Sequence, residues 1–180
     1  MGVLKNMRDR ASKLGKLVVL PEGHDPRVVE AASIITKEGV AKVILLGNPD
    51  EIAQIAKDNN VDLTGVEVND YLKSDKMESY VEEFTELRKH KGMTLEIAEK
   101  TLKDPLYFGV MMVKMGDADG MTAGAANATG DVLRPALQII KTATGIPVAS
   151  SCFIMEMPNK SFGSDGAFVY GDCGMNPDPD

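Results

Sequence analysis

Apolar runs alternate with helical periods along the chain. Residues 16–22 (KLVVLPE) form a short β-branched run that Pro21 and Gly23 close, the pattern of a buried strand. Asp25-Pro26 then gives a capping residue followed by proline at the first helical position, and the helix it opens closes on Gly39. Residues 42–47 (KVILLG) predict a second buried strand. Asn48-Pro49-Asp50 opens another helix, to about residue 58. Residues 66–69 predict a short third strand. A charged amphipathic helix follows over 74–90, then helices over 94–102 and 105–115, the last largely apolar. Residues 118–126 (ADGMTAGAA) predict a strand that runs into small residues. A helix over 129–141 carries Leu133, Leu137 and Ile140 on one face. Strands over 147–154 and 167–172 flank a turn-rich loop, PNKSFGSDG.

Strand–helix alternation of this kind predicts a mostly parallel sheet covered by helices, an α/β fold. Ligands in such sheets bind beyond the carboxyl ends of the strands. That points to residues 23–27, 47–50 and 124–131. The final strand pair has no covering helix after it, so the last thirty or so residues read as the opening of a further unit.

Composition narrows the class. Of 180 residues, 43% are hydrophobic and 26% charged, enough apolar mass for a sizeable core. The net charge of −7 argues against a nucleic-acid partner, which needs a basic surface. No run approaches the length of a membrane span, and the charged N-terminus lacks a signal peptide's apolar core. A soluble, cytoplasmic protein is expected. Cys152 and Cys173 suggest neither a disulfide framework nor a nucleophile, and packed thiols in a reducing compartment fit them. No metal-ligand spacing is visible. The methionines read as core filler.

The strongest chemical signal is MTAGAANATGDVLRPAL, residues 121–137. Gly124, Ala125 and Ala126 allow a ligand to approach the backbone. Thr129 fits a helix N-cap, and the unpaired amides of a first turn attract anions. Arg134 lies about one turn further on, where a guanidinium would reach phosphate oxygens, and Asn127 and Thr129 offer side-chain hydrogen bonds. A packing role for the same small residues fits equally well, and Asp131 already complements the helix dipole. Neither a Walker loop nor a dinucleotide fingerprint is present. In PEGHDPR, Glu22 or Arg27 either faces a site or serves only the helix start. His24 sits alone on that loop. Arg88, in ELRKHKG, reads as part of a basic helix C-terminus.

Taken together, LPEGHDPRVVEAA, ELRKHKGMTLEIAEKTLKDPLYFGVMMVKMGDADGMTAGA, TGDVLRPALQIIKT and YGDCGMNPDPD resemble the phosphate acetyl/butyryl transferase family over the whole chain. The resemblance implies a two-domain, three-layer αβα protein of isocitrate/isopropylmalate-dehydrogenase-like fold, homodimeric, with its active site between the domains. Residues 1–146 would form an incomplete first domain, and 147–180 the opening strands of a second. The implied reaction is reversible acetyl transfer between acetyl-CoA and inorganic phosphate, giving acetyl phosphate. Coenzyme A is then a substrate, with no bound cofactor and no metal. Arg88 and Arg134 match catalytic arginines, with Gly124, Asn127 and Thr129 as substrate-binding neighbours. Family members are longer, and their C-terminal part supplies a serine–arginine pair and an aspartate proposed as the thiol base. The chain is therefore expected to be an N-terminal fragment, weak or inactive alone. Butyryl transfer and a non-catalytic phosphate-binding module are the alternatives.

Overall fold

The computed structural model describes residues 2–171. Asp172 and Cys173, with the end of the predicted last strand, lie outside the described residues. The frame is a four-stranded sheet in the order β3-β2-β1-β4, with every pair parallel. β1 (Leu17–Leu20) runs between β2 (Lys42–Leu46) and β4 (Gly120–Met121), and β3 (Glu67–Asn69) forms the far edge.

Side chains alternate across these strands, and that alternation makes the layers. Val19, Ile44 and Leu46 face one side. There they meet Tyr80 and Phe84 of α4 (Met77–Arg88), Leu102 of α5 (Leu95–Leu102), and Phe108 and Met111 of α6 (Pro105–Met115). Ile139 of α7 (Thr129–Ile139) joins the same cluster. Leu20, Val43 and Leu45 face the other side. They pack on Val29 and Ala32 of α2 (Pro26–Lys37) and on Ile52 and Ala56 of α3 (Pro49–Asp58). Helices thus cover both faces of the parallel sheet, as the alternation predicts, in the three-layer αβα arrangement that the resemblance implies. α1 (Val3–Leu14) precedes this frame and buries none of its residues.

The predicted helix starts are realised chemically. The side chains of Asp25, Asn48, Thr94 and Asp104 accept from the amides of Arg27, Asp50, Ile97 and Leu106. The junction between α4 and α6 is fixed by Tyr80, whose hydroxyl donates to Asp117 Oδ2 at 2.6 Å. Its ring lies 5.1 Å from that of Phe108.

Two strands depart most from what the sequence suggests. β4 keeps only Gly120 and Met121, because the chain leaves the sheet after the Thr122 amide donates to Val19 O at 3.0 Å. The predicted strand over 147–154 begins only at Cys152. Pro147 has no N–H to give a ladder, which fits an irregular approach. β5 (Cys152–Glu156) and β6 (Ala167–Gly171) form an antiparallel pair separate from the main sheet. Phe153 and Val169 on it are 58% and 71% exposed. Among the described residues no helix is long and apolar enough to cross a membrane.

Candidate functional site

The carboxyl end of β1 and the loop after β4 close on each other. Val18 pairs with Gly120 and Val19 with Met121, so extending that register brings Glu22 opposite Gly124. The Glu22 carboxylate lies within the fold, 1% exposed. Its Oε2 accepts from the amides of Gly124 and Ala125, each at 2.9 Å. Its Oε1 accepts from the amides of Ala126 and Asn127 at 2.9 and 3.0 Å, and from Asn127 Nδ2 at 2.7 Å. Gly124 has φ +111°, a backbone state that side chains with a Cβ rarely adopt, and it lets successive amides turn inward. Burial pushes the Glu22 carboxyl up. The bonds from Ala126, Asn127, Ala125 and Gly124 outweigh that and hold it below its ordinary 4.5.

The rest of PEGHDPR reaches the same loop. Arg27 forks onto Asp25 with Nε at 3.0 Å and Nη2 at 2.6 Å, and its Nη2 also donates to Ala125 O at 2.5 Å. The hydrogen bond from the Arg27 side chain holds the Asp25 carboxyl at about 2. Glu22 and Arg27 thus both face the small-residue loop, one gripping its amides and the other a carbonyl.

This changes the expected roles of the loop residues. The amides of Gly124 and Asn127, expected to face substrate, point at an internal anion. Thr129 is not the N-cap of α7. Ala128 holds that position, extended at φ −68° and ψ 151°, with no side-chain cap bond. Thr129 is exposed in the first turn. The helix ends at Ile139 and rests on Pro135 and Ile139, while Leu137 and Ile140 stay about half exposed. Two of the three residues of the predicted apolar face are therefore turned largely to solvent, and Leu133 is half-buried.

Arg88 and Arg134 each lie one helical turn from a residue that touches Tyr107, Phe84 on α4 and Gln138 on α7. Arg88 is the last residue of α4 and half-buried, and its Nε is buried with no hydrogen-bond partner among the described residues. Arg134 lies on the exposed side of α7, its Nη2 3.5 Å from Asp131 Oδ1. Tyr107 on α6 packs its ring 5.9 Å from Phe84 and donates its hydroxyl to Gln138 Oε1 at 3.3 Å. Burial raises the Tyr107 phenol, and the charges of both Arg134 and Arg88 oppose that rise. Tyr107 thus links α6 to α4 through Phe84 and to α7 through Gln138, the two helices that carry Arg88 and Arg134. Forked guanidiniums so placed suit a phosphate or acyl phosphate. The sequence reading missed Tyr107 altogether. Its place in an apolar stretch, DPLYFGVMM, gave no polar signal.

His24 lies elsewhere, in a cavity of about 350 Å³ at the carboxyl ends of β1 and β2 with Pro21, Gly47, Asn48 and Lys73. Cys152 is exposed.

Known proteins share this arrangement of sequence and fold. The family model described as phosphate acetyl/butaryl transferase matches residues 2–180. The phosphate acetyltransferase of Acetivibrio thermocellus is 54% identical across the whole of this chain, which spans 54% of that relative's length. The phosphate acetyltransferase of Escherichia coli is 43% identical over 96% of the chain, which covers 23% of it. In structure, the chain matches the EutD phosphotransacetylase from Staphylococcus aureus with a TM-score of 0.84 and 35% identity, over 97% of this chain and 51% of that one. A phosphotransacetylase from Streptococcus pyogenes gives a TM-score of 0.85 and 38% identity, over 94% and 50%. The chain spans about half the length of the first curated relatives and of these two solved structures, yet the match runs through every element of the αβα frame, and the chain belongs to the phosphate acetyl/butaryl transferase family.

Proposed function

We propose that this chain forms the phosphate-anchoring wall of an enzyme that moves an acetyl group reversibly between acetyl-CoA and inorganic phosphate. The observation that carries the proposal is the Arg88 Nε, buried and unpartnered among the described residues, at the end of the helix whose Phe84 packs on Tyr107. A buried guanidinium nitrogen without a partner is costly unless a ligand completes it. A phosphate oxygen is a fitting acceptor.

In the direction of acetyl-CoA formation, the thiolate sulfur of coenzyme A attacks the carbonyl carbon of acetyl phosphate. The S–C bond forms, the C–O bond to phosphorus breaks, and phosphate leaves with the electron pair. The thiol proton passes to a base. Arg88 and Arg134 neutralise the acyl phosphate and stabilise charge growing on the leaving oxygens. The Thr129 hydroxyl, at the exposed start of α7, is a supporting donor. Gly124 and Asn127 shape the wall from behind. The reading is direct transfer in a ternary complex, with coenzyme A as substrate and no resident cofactor.

Residues 147–180, with the β5–β6 pair, would open a second domain, and the working enzyme would be a cytoplasmic homodimer. These assignments rest on the family and on composition. The test is acetyl phosphate formation from acetyl-CoA and phosphate, measured for the chain alone and with a C-terminal part of the family supplied. Arg134→Ala should lower turnover about 100-fold or more and leave the unfolding midpoint unchanged. Unaltered turnover in an active preparation would overturn the assignment. Phosphate binding without turnover in either preparation would favour a non-catalytic module. Preference for butyryl phosphate would shift the substrate.

A further inference from the structure

Four successive backbone amides and one side-chain amide aim at a single point. A run of inward-facing amides is an anion cradle. In most such loops the anion comes from outside. Here it is Glu22, anchored to β1 and almost wholly buried, with every donor between 2.7 and 3.0 Å. External phosphate cannot use donors that an internal carboxylate already holds.

The held segment leads straight into the proposed anchor. Asn127 is followed by Ala128 at the cap position and by the first turn of α7, where Asp131 N and Val132 N bond back to Ala128 O at 2.9 and 3.2 Å. Arg134 follows in that helix. β4 supplies only two paired residues to hold this stretch on the sheet. The Glu22 contacts, with the Arg27 bond to Ala125 O, carry the grip past the strand's own ladder, which ends at Met121, as far as Asn127.

We infer that Glu22 is a positioning residue, a permanent internal anion that fixes the amide loop 124–127 and the start of α7 and so leaves external phosphate to the Arg88–Arg134 face. This rests on the reading of that face as the phosphate anchor. The chemistry demands a carboxylate of this length. Glutamine would turn an NH2 donor toward amides that are donors themselves. Aspartate would fall short by one methylene, about 1.5 Å.

The test compares wild type, Glu22→Ala and Glu22→Gln. Amide hydrogen exchange is read over 124–127, and binding of inorganic phosphate is read by calorimetry, each with and without added formate. Both variants should exchange the four loop amides at least about tenfold faster, while β1 and β2 amides keep their protection. Phosphate affinity should fall about tenfold in both. Formate should restore protection and affinity in Glu22→Ala, where the seat is vacant. It should not do so in Glu22→Gln, whose side chain still fills the seat. A residue that only packs would not be replaced by a small anion.

Wild-type protection of the loop in Glu22→Ala overturns the inference, as does a folded Glu22→Ala that formate leaves unprotected. Unchanged phosphate affinity in a loosened loop overturns the positioning role. Should Glu22→Ala not fold, Glu22→Gln decides: loss of loop protection over an intact sheet supports the inference, and retained protection ends it. If wild type binds no phosphate, the anchor assignment fails, while the exchange and formate arms still judge Glu22 as the loop's anion.

Discussion

Glu22 Oε1 takes both amides of Asn127, the backbone N–H at 3.0 Å and Nδ2 at 2.7 Å, so one residue meets one oxygen twice. The pair closes the end of β1 onto the start of α7. Asn127→Ala removes the side-chain bond to a charged acceptor and should destabilise by about 1.5–3 kcal/mol. Asn127→Asp should be worse, because it sets a second carboxylate beside the buried one. Urea unfolding of the two variants checks the order. An aspartate variant as stable as the alanine variant would mean that Glu22 is protonated or withdrawn.

Acid should loosen this junction first. The native Glu22 carboxyl lies below its ordinary 4.5. A depressed carboxylate contributes stability that is fully present above the unfolded value and lost as pH falls through the native one. The contribution of Glu22 is therefore complete above pH 4.5 and declines below it. Asp25 and Asp62, each held at about 2, extend the decline further into acid. Glu22→Gln should be less stable than wild type at neutral pH, and the gap should narrow below pH 4.5. Chemical denaturation at stepped pH measures this. A gap that stays constant across the acid range would remove Glu22 as its source.

Gly23 follows Glu22 and allows no side chain. A Cβ built there would lie 2.5 Å from Leu46 O and 2.8 Å from Ile52 Cδ1. The first contact is backbone, and it belongs to the carbonyl that accepts the Gly23 amide at 3.2 Å. Relief would require parting the ends of β1 and β2. Gly23→Ala should cost about 1–3 kcal/mol, with the largest loss of amide protection at Leu46 and Gly47. Protection lost uniformly across the sheet would point to a different cause.

The helix starts and the central strands were legible because their signals are local, whereas the order of the strands in the sheet was not. Asp25-Pro26, Asn48-Pro49 and Asp104-Pro105 each join a cap to a proline start, and all three open helices. The buried runs LVVL and KVILL pair as the parallel centre. The site was legible only in part. Arg88 alone looks like any cation that completes a helix end, and only the resemblance singled it out. The small-residue loop was open to two readings, an anion site or a packing role, and the anion was sought outside the chain, whereas the loop amides hold Glu22. Glu22 and Gly124 are 102 positions apart. Nothing local says that one strand's carboxyl end will supply the charge another loop's amides need. Tyr107 was hidden because an aromatic residue in an apolar helix carries no mark of what its hydroxyl meets.

Tyr107 offers a direct test of the arginine pair, independent of turnover. Burial raises its phenol, and the charges of Arg134 and Arg88 counter part of that rise by favouring the phenolate. Removing either cation removes some of the counterweight, so Arg134→Ala and Arg88→Ala should each titrate Tyr107 at higher pH than wild type. Arg134 is the larger of the two charge effects, so its variant should shift further. Phosphate bound between the guanidiniums should act in the same direction, because it neutralises the charges that favour phenolate. Carbon NMR of ring-labelled tyrosine follows the hydroxyl directly, and Tyr107→Phe assigns the resonance. If the Tyr107 titration is the same in wild type and both alanine variants, the two guanidiniums do not share this face and could not grip one phosphate together.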